Sequence, residues 1–426
     1  MSDRHAWVVV DLGFGDAGKG TVTDFLARDQ DVGLVVRFNG GAQAGHNVIT
    51  PDGRHHTFSQ FGAGSFVPGV RTLLGPDFLL HPWGMAIEAD HLAAAGLTDA
   101  WSRTAVDRRA RVITPYQQAT NRIREQLRGA GAHGTCGIGI GECAADALHH
   151  PEDALRAGDL QHPDRLRKRL EAQRDRKRAE LAMLPGARRL PDHTLFDDAE
   201  LIDRVIAAWR DVAERMWLSS AAETDHMLRQ HPRVVFEGAQ GVLLDEDWGF
   251  HPHTTWSRCT PQAALPLLDD RPITRLGVSR VTTVRHGAGP LPTFDPALTA
   301  ALPEPHNDSG GWQGRFRVGA LDAVLLRYAI AACQGLDGIA LTWLDRCASP
   351  VPVCNRYADG TTDLPLGRAG DLTHTAQLCQ RLLSAQPIIE HTNDIVGFIE
   401  QATGLPVRLT SHGPAADHKQ WRTPAG

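Results

Sequence analysis

Residues 11–21, DLGFGDAGKGT, follow the apolar run WVVV (7–10) and come close to spelling a phosphate-binding loop. Gly13 is separated by four residues from Gly18, and Lys19 comes next, as such a loop requires. The position after the lysine, where a Ser or Thr hydroxyl would meet Mg2+, is Gly20. A glycine loop that opens a helix offers backbone N–H groups to anions, and Lys19 can reach phosphate oxygens. Asp16 sits mid-loop, a carboxylate where a phosphate cradle would not ordinarily hold one. A second glycine loop, NGGAQAGHN (39–47), puts His46 just past Gly45, on backbone able to approach another phosphate. A histidine there suits the role of an acid. Each feature also has a plain alternative: a strand–turn–helix connection that tolerates glycine, and a structural or surface histidine.

The elements that must position these loops are short apolar runs. Residues 7–10 and 34–38 (LVVRF) read as buried strands, each running into glycine-rich loop. TLLG (72–75) and RVVFEGAQG (233–241) repeat the strand-then-glycine arrangement, and GIALTWLD (338–345) reads as a late strand delivering Asp345. Ligands in parallel α/β sheets bind at the carboxyl ends of strands, so such loops converge on one site. Residues 163–183 carry eight basic and four acidic side chains and read as a solvated helix laced with i,i+4 ion pairs, rather than a nucleic-acid patch. Residues 197–229 and 321–334 also read as helices. The expected fold class is α/β: a large, mainly parallel central sheet flanked by helices, with a P-loop-like loop after the first strand. No repeat or linker divides the chain, so 1–426 is expected to be one elaborated domain with helical insertions at about 150–230.

Bulk properties narrow the class. With 426 residues, 42% hydrophobic and 22% charged, the chain has the balance of a soluble globular protein. A net charge of −6 argues against a general nucleic-acid binder. No apolar run is long enough for a membrane span, and the start MSDRHAW has no charged-then-apolar pattern, so no secretory signal is expected. Seven scattered cysteines fit reduced thiols better than a disulfide framework. A cytoplasmic enzyme acting on small molecules, with no nucleic-acid or membrane partner, is expected.

Seven ordered motifs then resemble the adenylosuccinate synthetase family. GFGDAGKGT and RFNGGAQAGHNVIT look like its G-D-E-G-K-G loop and N-A-G-H-T segment. HGTCGIGIG (133–141) is similar to T-T-G-R-G-I-G, and FEGAQGVLLDEDWGFHPHTTWS (236–257) to F-E-G-A-Q-G-x-L-L-D and Y-P-Y-V-T-S. TVRHGAGPLPT (283–293), LTWLD (341–345) and SHGP (411–414) stand where the family has T-R-V-G-A-G-P-F-P-T, T-K-L-D and S-T-G-P. The resemblance implies a GTP-dependent C–N ligase of purine biosynthesis, with GTP as co-substrate, Mg2+ as cofactor and a homodimer as the assembly. It implies that Asp16 takes the N1 proton of a 6-oxopurine nucleotide (IMP or an analogue), whose O6 then attacks the γ-phosphate of GTP. His46 would donate toward the β,γ-bridge, and Lys19 with the backbone of Gly15, Gly18, Gly20 and Thr21 would hold the phosphates, beside Gly45 and Asn47. Mg2+ would be held by Asp16 and the Gly45 carbonyl, which explains an anion in the loop. An amine, aspartate in the family, then displaces the 6-phosphate. Gln240 and Gln43 would face the purine, Thr135 and Thr255 the 5′-phosphate, with Arg315 also on the substrate. Asp345, Trp343, Ser411 and Gly413 would border guanine.

The chain departs from the pattern at several positions, most heavily where the family grips its amine. Ala17 replaces a glutamate, Ile138 an arginine and Trp343 a lysine. The acceptor loop is GWQGRFRVGALD (311–322), in which only Arg315 and Arg317 remain of an arginine run, with NDSGG (307–311) nearby as another source of polar groups. HHPEDALRAGDL (149–160) lacks the double arginine of the partner-subunit contact, leaving Arg156. Losing a bidentate arginine from a dicarboxylate site costs about 2–4 kcal/mol. Three alternatives therefore stand beside the plain synthetase. One is a divergent paralogue using a modified purine or another amine in a specialised pathway. Another is a purine-nucleotide-binding protein without catalysis. The third is a zinc protein built on His133, Cys136, Cys143, His149 and His150, or on His251, His253 and Cys259, although H-x2-C-x6-C is not a usual zinc spacing.

Overall fold

The computed structural model describes residues 4–304, 311–346 and 348–422. Ten strands form the main sheet: β1 (His5–Asp11), β2 (Leu34–Arg37), β3 (Arg71–Leu74), β4 (Thr104–Asp107), β5 (Trp217–Ser219), β6 (Arg233–Glu237), β7 (Ile273–Arg280), β8 (Gly338–Thr342), β9 (Val407–Ser411) and β10 (Lys419–Trp421). Their spatial order is β10-β9-β8-β7-β1-β6-β2-β3-β4-β5. All neighbours are parallel except β9 and β10. β1 lies near the middle, and its residues alternate between two cores: Val8 and Val10 pack on one face, Trp7 and Val9 on the other. A parallel strand covered on both faces reads as a continuous apolar run, which is what WVVV is. Helix α1 (Lys19–Asp29) starts directly after the first glycine loop.

A second, four-stranded sheet runs Thr282–His286, Phe316–Asp322, Val351–Tyr357, Pro387–Thr392. Its first strand ends at His286, beside the first glycine loop.

Two expected helices are divided differently. Over 197–229, helices span Leu201–Arg215 and Ala221–Gln230, and between them Trp217–Ser219 forms the edge strand β5 against β4. Ser220 restarts the helix through a capping box with Glu223. Over 321–334, Leu321 and Asp322 belong to a strand, and the Asp322 carboxylate caps the helix Ala323–Ala332 by accepting from the amides of Val324 and Leu325. The helix expected at 163–183 spans Pro163–Ala182, but it is not solvated all round. Lys177 is buried, paired with Glu142 at 2.8 Å and Asp146 at 2.7 Å. Among the described residues no helix is long and apolar enough to cross a membrane.

Candidate active site

Five loops at the carboxyl ends of β1, β2, β6, β8 and β9 meet by direct contacts. The Leu243 amide donates to the Gly13 carbonyl at 3.1 Å, and a Cβ on Gly241 would lie 2.1 Å from that same oxygen. A Cβ on Gly20 would lie 2.6 Å from the Cβ of His46, so the first turn of α1 packs against the second glycine loop. Thr342, ending β8, donates to the Ala17 carbonyl at 2.7 Å, and Thr21 donates to the Pro414 carbonyl at 2.5 Å. The loops that sequence spacing suggested are thereby assembled around the phosphate-type loop.

Within that loop Asp16 adopts a left-handed conformation (φ 61°). Arg280 holds its backbone carbonyl, and its carboxylate accepts no hydrogen bond from the described residues. The nearest cation-forming group to that carboxylate is His286, with Nε2 at 3.5 Å. Gly18 caps α1 without a side-chain acceptor, so the amides of the first turn are available to an anion. Lys19 is buried, and its Nζ lies 3.0 Å from Asp11 Oδ2.

His46 is buried beside the second loop, with Nδ1 2.6 Å from Glu237 Oε1. Glu237 Oε2 accepts from the Ala63 amide at 3.0 Å and faces the Arg37 guanidinium at 3.9 Å. Burial pushes His46 down to about 4, against the opposing pull of the Glu237 carboxylate. Burial would raise Glu237, but His46 and Arg37 hold it below the ordinary carboxylate value. Nδ1 is thus taken up by the Glu237 carboxylate, and Nε2 is left over.

Gln43 and Gln240 carry unspent hydrogen-bonding groups. Both amide atoms of Gln43 and Oε1 of Gln240 are buried without a partner, an arrangement that normally costs free energy unless a ligand completes it. Gln240 is also left-handed (φ 57°), and a Cβ on Gly40 would lie 2.9 Å from its Oε1, so the two loops share one space. Thr135 is 3.1 Å from Asn121 Nδ2, and the Thr255 amide donates to the Leu244 carbonyl at 2.7 Å. Asn47 Oδ1 accepts from Thr57 at 2.6 Å, while Gly45 is exposed.

At the far end, the Leu344 amide donates to the Ser411 carbonyl at 3.2 Å, bringing the Trp343–Asp345 segment next to the Ser411–Gly413 loop. Trp343 (φ 67°) is engaged by two guanidiniums, Arg280 at 3.9 Å and Arg346 at 5.0 Å from its ring centre, so it is already a cation–π platform. Asp345 is exposed. Arg315 is exposed, whereas Arg317 spends Nη2 on the carbonyls of Gly287 (2.6 Å) and Gly289 (2.9 Å). Of NDSGG, residues 307–310 lie outside the described residues.

Four participants were not singled out by sequence: Asp11, Glu237, Arg280 and His286. Glu237 and His286 stand inside motifs already quoted, but nothing in their spacing announced a partner from a distant loop. Asp11 at a strand end before a glycine loop was the legible signal. For the zinc alternative, the described residues contain no group of three or more His, Cys, Asp or Glu placed to hold a metal ion.

Comparison with known proteins places this arrangement. A family model described as adenylosuccinate synthetase matches residues 8–420. Adenylosuccinate synthetases from Neisseria gonorrhoeae and Nitratidesulfovibrio vulgaris are each 31% identical to the chain; they cover 96% of it, with 96% and 97% of their own lengths matched. Among solved structures, a fully ligated adenylosuccinate synthetase from Plasmodium falciparum has a TM-score of 0.78 at 19% identity, covering 98% of this chain and 99% of its own. The cyanophage S-2L succinoaminodeoxyadenylate synthetase, bound to dGMP and dATP as an energy donor, has a TM-score of 0.60 at 17% identity, covering 98% and 95%. The chain belongs to the adenylosuccinate synthetase family and is an enzyme of that type, a GTP-dependent ligase forming C–N bonds.

Proposed function

We propose that the chain phosphorylates O6 of a 6-oxopurine nucleotide, IMP or an analogue, and lets an amine displace that phosphate. The observation that carries this reading is the Asp16 carboxylate, which accepts no hydrogen bond from the described residues, in a loop that runs into the uncapped N-terminus of α1, whose first turn packs at Gly20 against the buried His46. Asp16 takes the N1 proton, leaving charge on O6, and O6 attacks the γ-phosphorus of GTP as the bond to GDP breaks. Glu237 ties up Nδ1 of His46. The negative charge of a bound triphosphate favours the imidazolium, which donates from Nε2 toward the leaving oxygen. Both amide atoms of Gln43 and Oε1 of Gln240, left unpaired, serve the purine edge. Thr135 and Thr255 stand for the 5′-phosphate, and Asp345, Ser411 and Gly413 for guanine. In the second step the amine attacks C6, a C–N bond forms, and phosphate leaves with the former O6. Positioning and charge stabilisation supply most of the rate.

Mg2+ fits the residues present: the Asp16 carboxylate and the exposed Gly45 backbone offer hard oxygen donors of the kind that ion prefers. When bound it would offset phosphate charge.

A second reading, an amine other than aspartate, is favoured by one observation. Arg317 is committed to loop carbonyls, Ile138 stands in place of an arginine, and this leaves Arg315 as the exposed guanidinium of the acceptor segment. The test is GDP release with Mg2+, GTP and IMP, with aspartate present or omitted, repeated with dGMP in place of IMP and with dATP in place of GTP, the latter read as dADP release. Aspartate-dependent GDP formation yielding a 6-succinyl nucleotide establishes the plain synthetase. Turnover only with another amine establishes the second reading, turnover only with another purine identifies the analogue, and absence of turnover with nucleotide binding retained overturns both readings. The same reading includes a cytoplasmic homodimer, checked by sedimentation of the purified protein.

A further inference from the structure

The phosphate-type loop is closed from beneath on a carboxylate of its own. Asp11, the last residue of β1, has a fully buried side chain. Its Oδ1 accepts from the amides of Gly13 (2.8 Å) and Gly15 (3.3 Å); its Oδ2 accepts from the amide of Ala17 (2.8 Å) and from Lys19 Nζ (3.0 Å). Four donors converge on one carboxylate, matching its acceptor capacity. The alternation is informative: residues 13, 15 and 17 turn their amides inward, whereas the amides of Asp16 and Gly18 make no hydrogen bond to the described residues. Above Gly15 there is open space, with nothing within 4 Å of where a Cβ would stand. The loop therefore has an inner face satisfied by Asp11 and an outer face left for a ligand.

We infer that Asp11 is the positioning residue of this loop, and that Lys19 acts through it as an internal strut rather than as the free cation of a phosphate cradle. Pinning every second amide holds Asp16 in its left-handed conformation and keeps the outer amides pointed at the ligand. The alternative use of the same contact is competition, in which incoming phosphate must take Lys19 and the inner amides away from Asp11. The two differ in sign. The burial of both partners, with side-chain exposures of 0% for Asp11 and 3% for Lys19, favours the strut, because a solvated phosphate has no route to the inner face without opening the loop.

This rests on the proposed use of the loop for a nucleoside triphosphate, so the first measurement needs no ligand. In the wild-type protein, amide-resolved hydrogen exchange by NMR should show slow exchange at Gly13, Gly15 and Ala17 and fast exchange at Asp16 and Gly18. Adding GDP with Mg2+ should slow only the second set. If GDP fails to bind, the functional reading falls while the ligand-free pattern still tests the strut. Fast exchange at the inner amides, or a change there on GDP binding, overturns the inference. The second measurement is Asp11→Asn. It should raise KM for GTP about tenfold and leave affinity for the purine monophosphate unchanged, as loss of charge-assisted bonds at one loop predicts. Adding Lys19→Gln should cost no more than the worse single change. Tighter GTP binding by Asp11→Asn establishes competition instead, and equal loss of both nucleotides reduces Asp11 to a general stabiliser. Where the variant does not fold, the wild-type exchange pattern decides.

Discussion

His46 and Asp16 divide the proposed proton chemistry between a buried group and an open one. His46 is held by Glu237 at 2.6 Å, so removing the imidazole should act on the chemical step rather than on binding. We expect His46→Ala to lower kcat by about 10²–10⁴-fold with little change in KM, measured as GDP release. Gly20 tests the packing that holds this histidine: a Cβ there would meet His46 Cβ at 2.6 Å. Gly20→Ala should therefore displace the imidazole, lowering kcat and costing about 1–3 kcal/mol in urea unfolding. An unaltered kcat in that variant would show that the two loops give way freely.

At the scale of elements, the helix Pro163–Ala182 separates a charged surface from a buried charge. Lys168 is exposed, whereas Lys177 is inserted between Glu142, Asp146 and Glu180. Lys177→Met removes the one cation these carboxylates share, leaving Arg124 on Glu142 and Glu180 and Arg176 on Asp146, and should destabilise the protein by about 3 kcal/mol, the lower end for a broken buried pair. Lys168→Ala should stay within about 0.5 kcal/mol. Thermal melts of both variants compare them directly. β8 makes a second element-scale link: Thr342 donates to the Ala17 carbonyl at 2.7 Å and to the Ser279 carbonyl at 3.3 Å. Thr342→Val should cost about 1 kcal/mol and raise KM for GTP, because the loop loses its tie to the sheet.

For the whole molecule, stability should depend on pH through groups that folding keeps from protonating. Burial holds His46 and His253 at about 4, and lowers His81 and His133 as well. Between pH 7.5 and 6 the unfolded chain binds more protons at these histidines than the folded one, so stability falls as pH falls. Lys419, lowered to about 8 by burial, acts in the same direction at the upper end of that span. Below pH 6 the buried Asp245 and Asp322, raised to about 6, take up protons in the folded state and oppose the trend. Urea midpoints at pH 7.5, 6 and 5 should drop between the first two and change less between the last two.

Much of the frame was present in residue order. WVVV lies within a strand and LVVR forms one, both in a sheet covered on both faces, where a short continuous apolar run is what a doubly buried parallel strand requires, and each strand runs on into glycine-rich loop. The seven ordered motifs pointed to the family whose model matches residues 8–420. Local pattern did not show that Trp217–Ser219 leaves a helical stretch to pair with β4: three residues carry too little periodicity, and the strand exists through its neighbour. Nor could it join Glu237 to His46, 191 positions apart, or set His286 beside Asp16, because those pairings depend on how the sheets stack. Composition allowed Lys19, Arg317 and Lys177 to be free surface cations. The tertiary structure gave Lys19 and Lys177 buried carboxylate partners and tied the half-buried Arg317 to loop carbonyls, because a charge taken out of water is stable only where acceptors converge on it.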